Sequence, residues 1–175
     1  MTQQHAGSTS ARRSRLRRQL GGVSTLALVV GLWLSHTPVR AQSFQATGDV
    51  VTGFAQINTS ANFTEVQISD PEIVINWTPT DVNGTGTIDF QPQDTTTLFT
   101  DGSGFSSPNF TVLNRIIPVD GTNTPVNRII AFNGTVNSGI GGTTQGNIWF
   151  YSPGGILVGA NAQFNVGSLV LTTAD

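Results

Sequence analysis

The chain of 175 residues contains no cysteine and no lysine, and its two histidines, His5 and His36, both fall within the first forty residues. Without cysteine there is no disulfide framework and no thiolate nucleophile. Beyond residue 40 the absence of histidine and lysine removes the usual general base, the Schiff-base amine and every Cys/His zinc site. Cations are scarce there too, with only Arg115 and Arg128 against ten acidic residues. Such a balance repels phosphate backbones and anionic membrane surfaces, which argues against nucleic acid as a partner.

The first forty residues are a different object. They hold six of the eight arginines and no acid; Arg12, Arg13, Arg15, Arg17 and Arg18 form a basic stretch, followed by the apolar run Val23 to Leu34, "VSTLALVVGLWL". Twelve apolar residues fall short of the roughly 20 that a spanning helix needs. With the small-residue site "VRA" ending at Ala41, this succession reads as a secretory signal peptide over 1–41, cut after Ala41. "RRSRLRR" faintly resembles a twin-arginine export signal, although an ordinary long basic region accounts for it more simply. Residues 42–175 are then one exported domain, with no membrane insertion expected once the signal is removed.

That domain is rich in Thr, Asn, Gly, Val, Ile and Phe, and no long window keeps helical spacing. Short alternating runs predict strands instead. "DVVTGFAQI" (Asp49 to Ile57) reads as one loosely alternating strand. "EVQIS" places Val66 and Ile68 on one face, "EIVINW" does so with Ile73, Ile75 and Trp77, and "TGTIDF" with Ile88 and Phe90. Further on, "NRIIAFNGTV", "GNIWFYSPGGILV" and "NAQFNVGSLVL" each read as strand, Gly-containing corner, strand. Ile129, Ile148 and Val166 follow one another at nineteen and eighteen residues, which predicts the coils of a β-solenoid. An antiparallel sandwich is the competing all-β reading.

Few residues offer chemistry. Asp81, Asn83, Thr85 and Gly86 open like a calcium loop, but the twelfth position is Pro92 where a bidentate Glu is required, so a turn is the expectation. Glu72 with Asp89, or Asp70 with Glu65, are carboxylate pairs of the kind a glycoside-cleaving enzyme uses, yet nothing in their spacing singles them out. Neither a metal nor an organic cofactor is expected. Trp77 and Trp149 together offer a sugar platform, though Trp77 follows Ile73 and Ile75 and reads as core. Asn-x-Ser/Thr triplets begin at Asn58, Asn62, Asn76, Asn83, Asn109 and Asn133, and composition alone accounts for them.

Three segments resemble the N-terminal secretion domain of two-partner secretion exoproteins, the filamentous-haemagglutinin or haemagglutination-activity type. "INWTPTDVNGTGTIDFQP" (Ile75 to Pro92) is similar to that family's Trp-containing strand followed by one ending in Phe and Gln-Pro. "VLNRI", with Asn114 and Arg115, is similar to its Leu-Asn-Arg-Val signature. Ser152, Pro153, Gly154, Gly155 and Ile156, followed by Gly159, stand where the family has Asn-Pro-Asn-Gly-Ile and a glycine-containing stretch. Both asparagines are replaced; Pro153, Gly155 and Ile156 remain, and Gly154 retains the freedom to make the turn. "PVDGTNTPVN" (Pro118 to Asn127) is longer than the family's spacer and is expected to be a solvent loop.

The resemblance implies a right-handed parallel β-helix with a capped N-terminus and extra-helical β-hairpins. It implies a non-enzymatic export-targeting module: passage across the inner membrane, recognition in the periplasm by a partner outer-membrane transporter, then release to the cell surface or medium. Asn114, Arg115 and the Ser152 to Ile156 corner with Gly159 are the expected recognition or structural motif. Family members run on for many more coils, so the expectation is a stack truncated here, whose last coil is uncovered and open to self-association. A free-standing adhesin domain that binds a host glycan or protein is the alternative, and a polysaccharide-acting β-helix enzyme the third reading.

Overall fold

The computed structural model describes residues 42–174 apart from 103, 106 and 141. The expected signal peptide, residues 1–41, lies outside the described residues. What is described is all-β, in three sheets, two of mixed direction and one parallel, with no helix among the described residues.

Sheet one joins, in spatial order, β1 (Ala46–Thr52), β4 (Glu72–Pro79), β7 (Thr111–Ile116), β11 (Asn147–Tyr151) and β14 (Ser168–Thr172). Sheet two joins β2 (Ala55–Ser60), β3 (Phe63–Ile68), β6 (Thr96–Asp101), β9 (Thr135–Ile140) and β10 (Thr143–Thr144), with β13 (Gln163–Asn165) also on β9. Sheet three is β5 (Ile88–Gln91), β8 (Ile130–Phe132) and β12 (Ile156–Val158). From β3 onward the chain visits sheet two, sheet one and sheet three in that order, then begins again. Strands that succeed one another within a sheet on successive circuits pair in parallel. The antiparallel pairs flank this pattern: β1 on β4, β2 on β3, and β10 on β9.

Strand alternation sets what faces inward. Ile73, Ile75 and Trp77 of β4 are buried, and parallel register continues their rows. Ile73 lies beside Val112, Val112 beside Ile148 and Ile148 beside Leu169; the next row runs Ile75, Asn114, Phe150, Leu171. Rings fill the interior. Phe44 meets Trp77 edge-on at 5.0 Å and Phe90 at 4.6 Å, Phe90 meets Phe132 at 5.4 Å, and Phe132 meets Phe150 at 4.8 Å. At one end β1 covers sheet one, β2 covers sheet two, and the Gln45 amide donates to the Phe90 carbonyl of sheet three at 2.8 Å. At the other end the inward-row residues Leu169 and Leu171 are still 37% and 36% exposed.

Two readings of the sequence need correction. Asp49 to Ile57 is not one strand: β1 ends at Thr52 and β2 begins at Ala55. Gly53, at φ +73°, makes the break where an added Cβ would run into the Glu72 carbonyl and the end of the Ile73 side chain. The spacing of Ile129, Ile148 and Val166 is not the repeat either. Ile129 precedes β8 of sheet three, Ile148 is in sheet one, and Val166 lies between β13 and β14. True neighbours are Ile73, Val112, Ile148 and Leu169, at intervals of 39, 36 and then 21 residues. Insertions between strands lengthen the earlier circuits and hide the period; the last circuit has almost none.

Candidate functional site: the Asn114 bridge and the Ser152–Ile156 corner

β7 carries "VLNRI" with Val112, Asn114 and Ile116 inward and all fully buried. Asn114 is thus a polar residue at an apolar position, and its amide is satisfied across neighbouring strands. Its Oδ1 accepts from Trp77 Nε1 of β4 at 2.9 Å, and its Nδ2 donates to the Trp149 carbonyl of β11 at 3.2 Å. Nδ2 also reaches the Val112 carbonyl at 3.4 Å. One side chain therefore ties three successive strands of sheet one together. Arg115 points the other way, its guanidinium 5.9 Å from the ring centre of Tyr151, its register neighbour on β11.

The corner from Ser152 to Gly155 turns the chain from β11 into β12. The Gly155 amide donates to the Ser152 carbonyl at 3.2 Å. The positive φ falls on Gly155, at +112°, and not on Gly154. Gly154 is required for a different reason: an added Cβ would clash with the Arg128 backbone, its carbonyl oxygen first, so the corner lies directly on the preceding circuit. Pro153 is half-buried and opens the turn. Ser152 continues the inward alternation of Ile148 and Phe150 and is fully buried, with no partner for its Oγ. Ile156 lies beside buried Ile130 in register and packs on the core. Gly159 follows β12, where a Cβ would run into Asn133. The structure does not bring Asn114 and the corner into one surface, since Asn114 is inside and the corner is at an edge.

The calcium-like loop is occupied by other bonds. Arg128 Nη2 pairs with Asp81 Oδ2 at 2.6 Å, Nη1 donates to the Asp81 carbonyl at 2.6 Å, and Nε donates to the Gly86 carbonyl at 2.9 Å. The hydrogen bond from Arg128 holds the Asp81 carboxyl below the usual carboxylate range, helped by the backbone amide of Gly84. Among the described residues no group of three or more acids gathers as a metal site. In the longer spacer, Asp120 is likewise held low by the Thr122 hydroxyl and by the Thr124 and Thr122 amides, and residues 121–125 are exposed.

Trp77 and Trp149 form no platform, because Trp77 is buried while Trp149 points outward and is 41% exposed. Glu72 and Asp89 lie on different sheets, Asp89 accepts from Asn133 at 2.9 Å, and Glu65 accepts from Gln67 at 3.0 Å. What the sequence reading missed is the Asp81–Arg128 clamp, which joins residues 47 apart with no local signal. The burial of Asn114 was readable, since it stands between Val112 and Ile116 at strand spacing. No protein-family model matches the chain, and no curated protein matches its sequence.

Proposed function

We propose that residues 42–175 are the export-targeting domain of a two-partner secretion exoprotein, folded as a right-handed parallel β-helix with a capped N-terminus and extra-helical hairpins. The observation that carries this reading is the fixed order in which the chain visits three sheets, with parallel in-register strands on successive circuits. The antiparallel strands β1 and β2 are the cap, and the β9–β10 hairpin is one extra-helical excursion. The role is non-enzymatic. Residues 1–41 direct passage through the inner membrane; the periplasmic domains of an outer-membrane transporter then bind an extended segment, partly by strand addition. Stacking of circuits outside the cell drives folding. Because Asn114 is sealed in the core, its contribution to recognition falls before folding and its contribution to stability after it.

The test is whether an outer-membrane barrel protein is encoded beside this chain, and then export with and without it. Release of the folded domain only when the barrel is co-expressed is the expected result. Equal release without it, or retention in the periplasm with it, contradicts the reading. A second reading, a free-standing adhesin domain, draws on the outward Trp149 beside Leu113 and Val170, its register neighbours. Transporter-independent release together with loss of glycan or protein binding in Trp149→Ala would favour it.

A further inference from the structure

The Asp81–Arg128 clamp has a consequence outside export. Gly84 lies against it: an added Cβ would meet Arg128 Nη2 and Asp81 Oδ2 at 2.7 Å, so any other side chain would have to displace the clamp. The residue before it is Asn83, exposed in the loop between β4 and β5. An Asn followed by Gly is the pair most open to attack by the following amide nitrogen on the side-chain carbonyl, because glycine imposes no steric barrier. The glycine that leaves room for the clamp is thus a chemical liability, and the clamp also restrains it. The Gly84 N–H points at Asp81 Oδ1, 3.0 Å away. Once deprotonated, the nitrogen carries its in-plane lone pair along that same direction, toward the carboxylate and not toward Asn83 Cγ. A carboxylate at that distance also opposes the deprotonation.

We propose that Asn83 is a site of spontaneous deamidation held closed by the Asp81–Arg128 clamp, so that opening the clamp commits the loop to a one-way chemical change. Gly84 N bonds to Asn83 Cγ with loss of its proton, the Cγ–Nδ2 bond breaks and ammonia leaves, giving a five-membered imide. Water then opens either imide carbonyl, leaving aspartate or isoaspartate and one added negative charge beside Asp81. That charge and the lengthened backbone of isoaspartate keep the clamp from reforming. The other Asn-Gly pair, Asn133–Gly134, is an internal control. Asn133 Nδ2 is bonded to Asp89 at 2.9 Å, and Gly134 is buried against the Pro92 and Thr95 carbonyls.

The experiment incubates the full chain at mildly alkaline pH and maps isoaspartate at both pairs by peptide mass spectrometry, for the native protein, Asp81→Ala and Arg128→Gln. Asp81→Ala should raise the rate at Asn83 roughly tenfold or more, the factor for losing one hydrogen bond to a charged acceptor. Asn133 should keep its native rate, and Arg128→Gln should raise Asn83 by less. An unchanged or slower rate at Asn83 in Asp81→Ala overturns the proposal. If both pairs accelerate in Asp81→Ala, that variant has unfolded and Arg128→Gln decides: a rise at Asn83 alone upholds the proposal, and no rise overturns it.

Discussion

Trp77 Nε1 donates to Asn114 Oδ1 at 2.9 Å inside the core, between side chains 37 positions apart in sequence. Neither polar group has water as an alternative, so the pair holds β4 and β7 at one relative register. Asn114→Leu removes the acceptor and leaves the indole N–H buried and unpaired. We expect a loss of about 1–3 kcal/mol in denaturant unfolding. Trp77→Phe added to Asn114→Leu should restore part of it relative to the sum of the single variants, because no unpaired donor is then left.

At the corner, two glycines fail for different reasons. Gly155→Ala meets only Ile129 Cγ1 at 3.6 Å, so its cost is that of φ +112°, about 1–3 kcal/mol. Gly154→Ala drives a methyl into the Arg128 backbone and should cost more than Gly155→Ala. Ser152→Ala deletes a buried hydroxyl that has no partner, and should leave stability equal or slightly raised. Thermal melts of the three variants give the order.

Asp81 has a lowered carboxyl pKa in the folded state, so the stability it contributes is complete above the ordinary carboxylate range. It is lost as pH falls through the lowered value. Arg128→Gln removes the main cause of the lowering. The gap in melting temperature between native protein and Arg128→Gln should therefore be widest near neutral pH and close below about pH 4. With Asp81 at 47% side-chain exposure the gap is that of a partly screened pair. A gap that grows on acidification would contradict this assignment.

Much of the strand content was legible because alternation reports burial directly. Ile73, Ile75 and Trp77, Val66 and Ile68, and Ile88 and Phe90 all face inward as their spacing implies. The three strand–corner–strand segments were legible for the same reason, although the positive φ in the Ser152–Ile156 corner falls on Gly155 and not on Gly154, where the sequence pointed. The circuit length was not legible. Residues 102–110 and 117–129 are inserted between strands, and register between circuits is set by contacts that leave no mark on sequence spacing. Asn114 resembled a recognition signature, while its inward position between Val112 and Ile116 makes it a structural bridge in the folded domain. The clamp was illegible because an arginine and an aspartate 47 residues apart look like any two surface charges.

The inward rows at the β14 end are incompletely covered, with Leu169 and Leu171 partly exposed and Phe164 half-buried. A polypeptide of residues 42–175 should therefore self-associate in a concentration-dependent way. Sedimentation velocity over a concentration series checks this, and Leu169→Lys with Leu171→Lys should suppress it. A strictly monomeric native protein at all concentrations would contradict it.

The reading of function rests on successive circuits lying parallel and in register, and the absence of native cysteine allows that to be measured by disulfide trapping. Thr111 lies beside Asn147 and Arg115 beside Tyr151 across β7 and β11, and the Asn147 amide already donates to the Thr111 hydroxyl at 3.2 Å. The pair Thr111→Cys with Asn147→Cys should oxidise readily to an intramolecular disulfide, and so should Arg115→Cys with Tyr151→Cys. Thr111→Cys with Tyr151→Cys, four residues out of register, should remain reduced. Rapid closure of the Thr111–Tyr151 pair with failure of the other two would mean antiparallel strands, and would contradict the stacked circuits on which the export assignment depends.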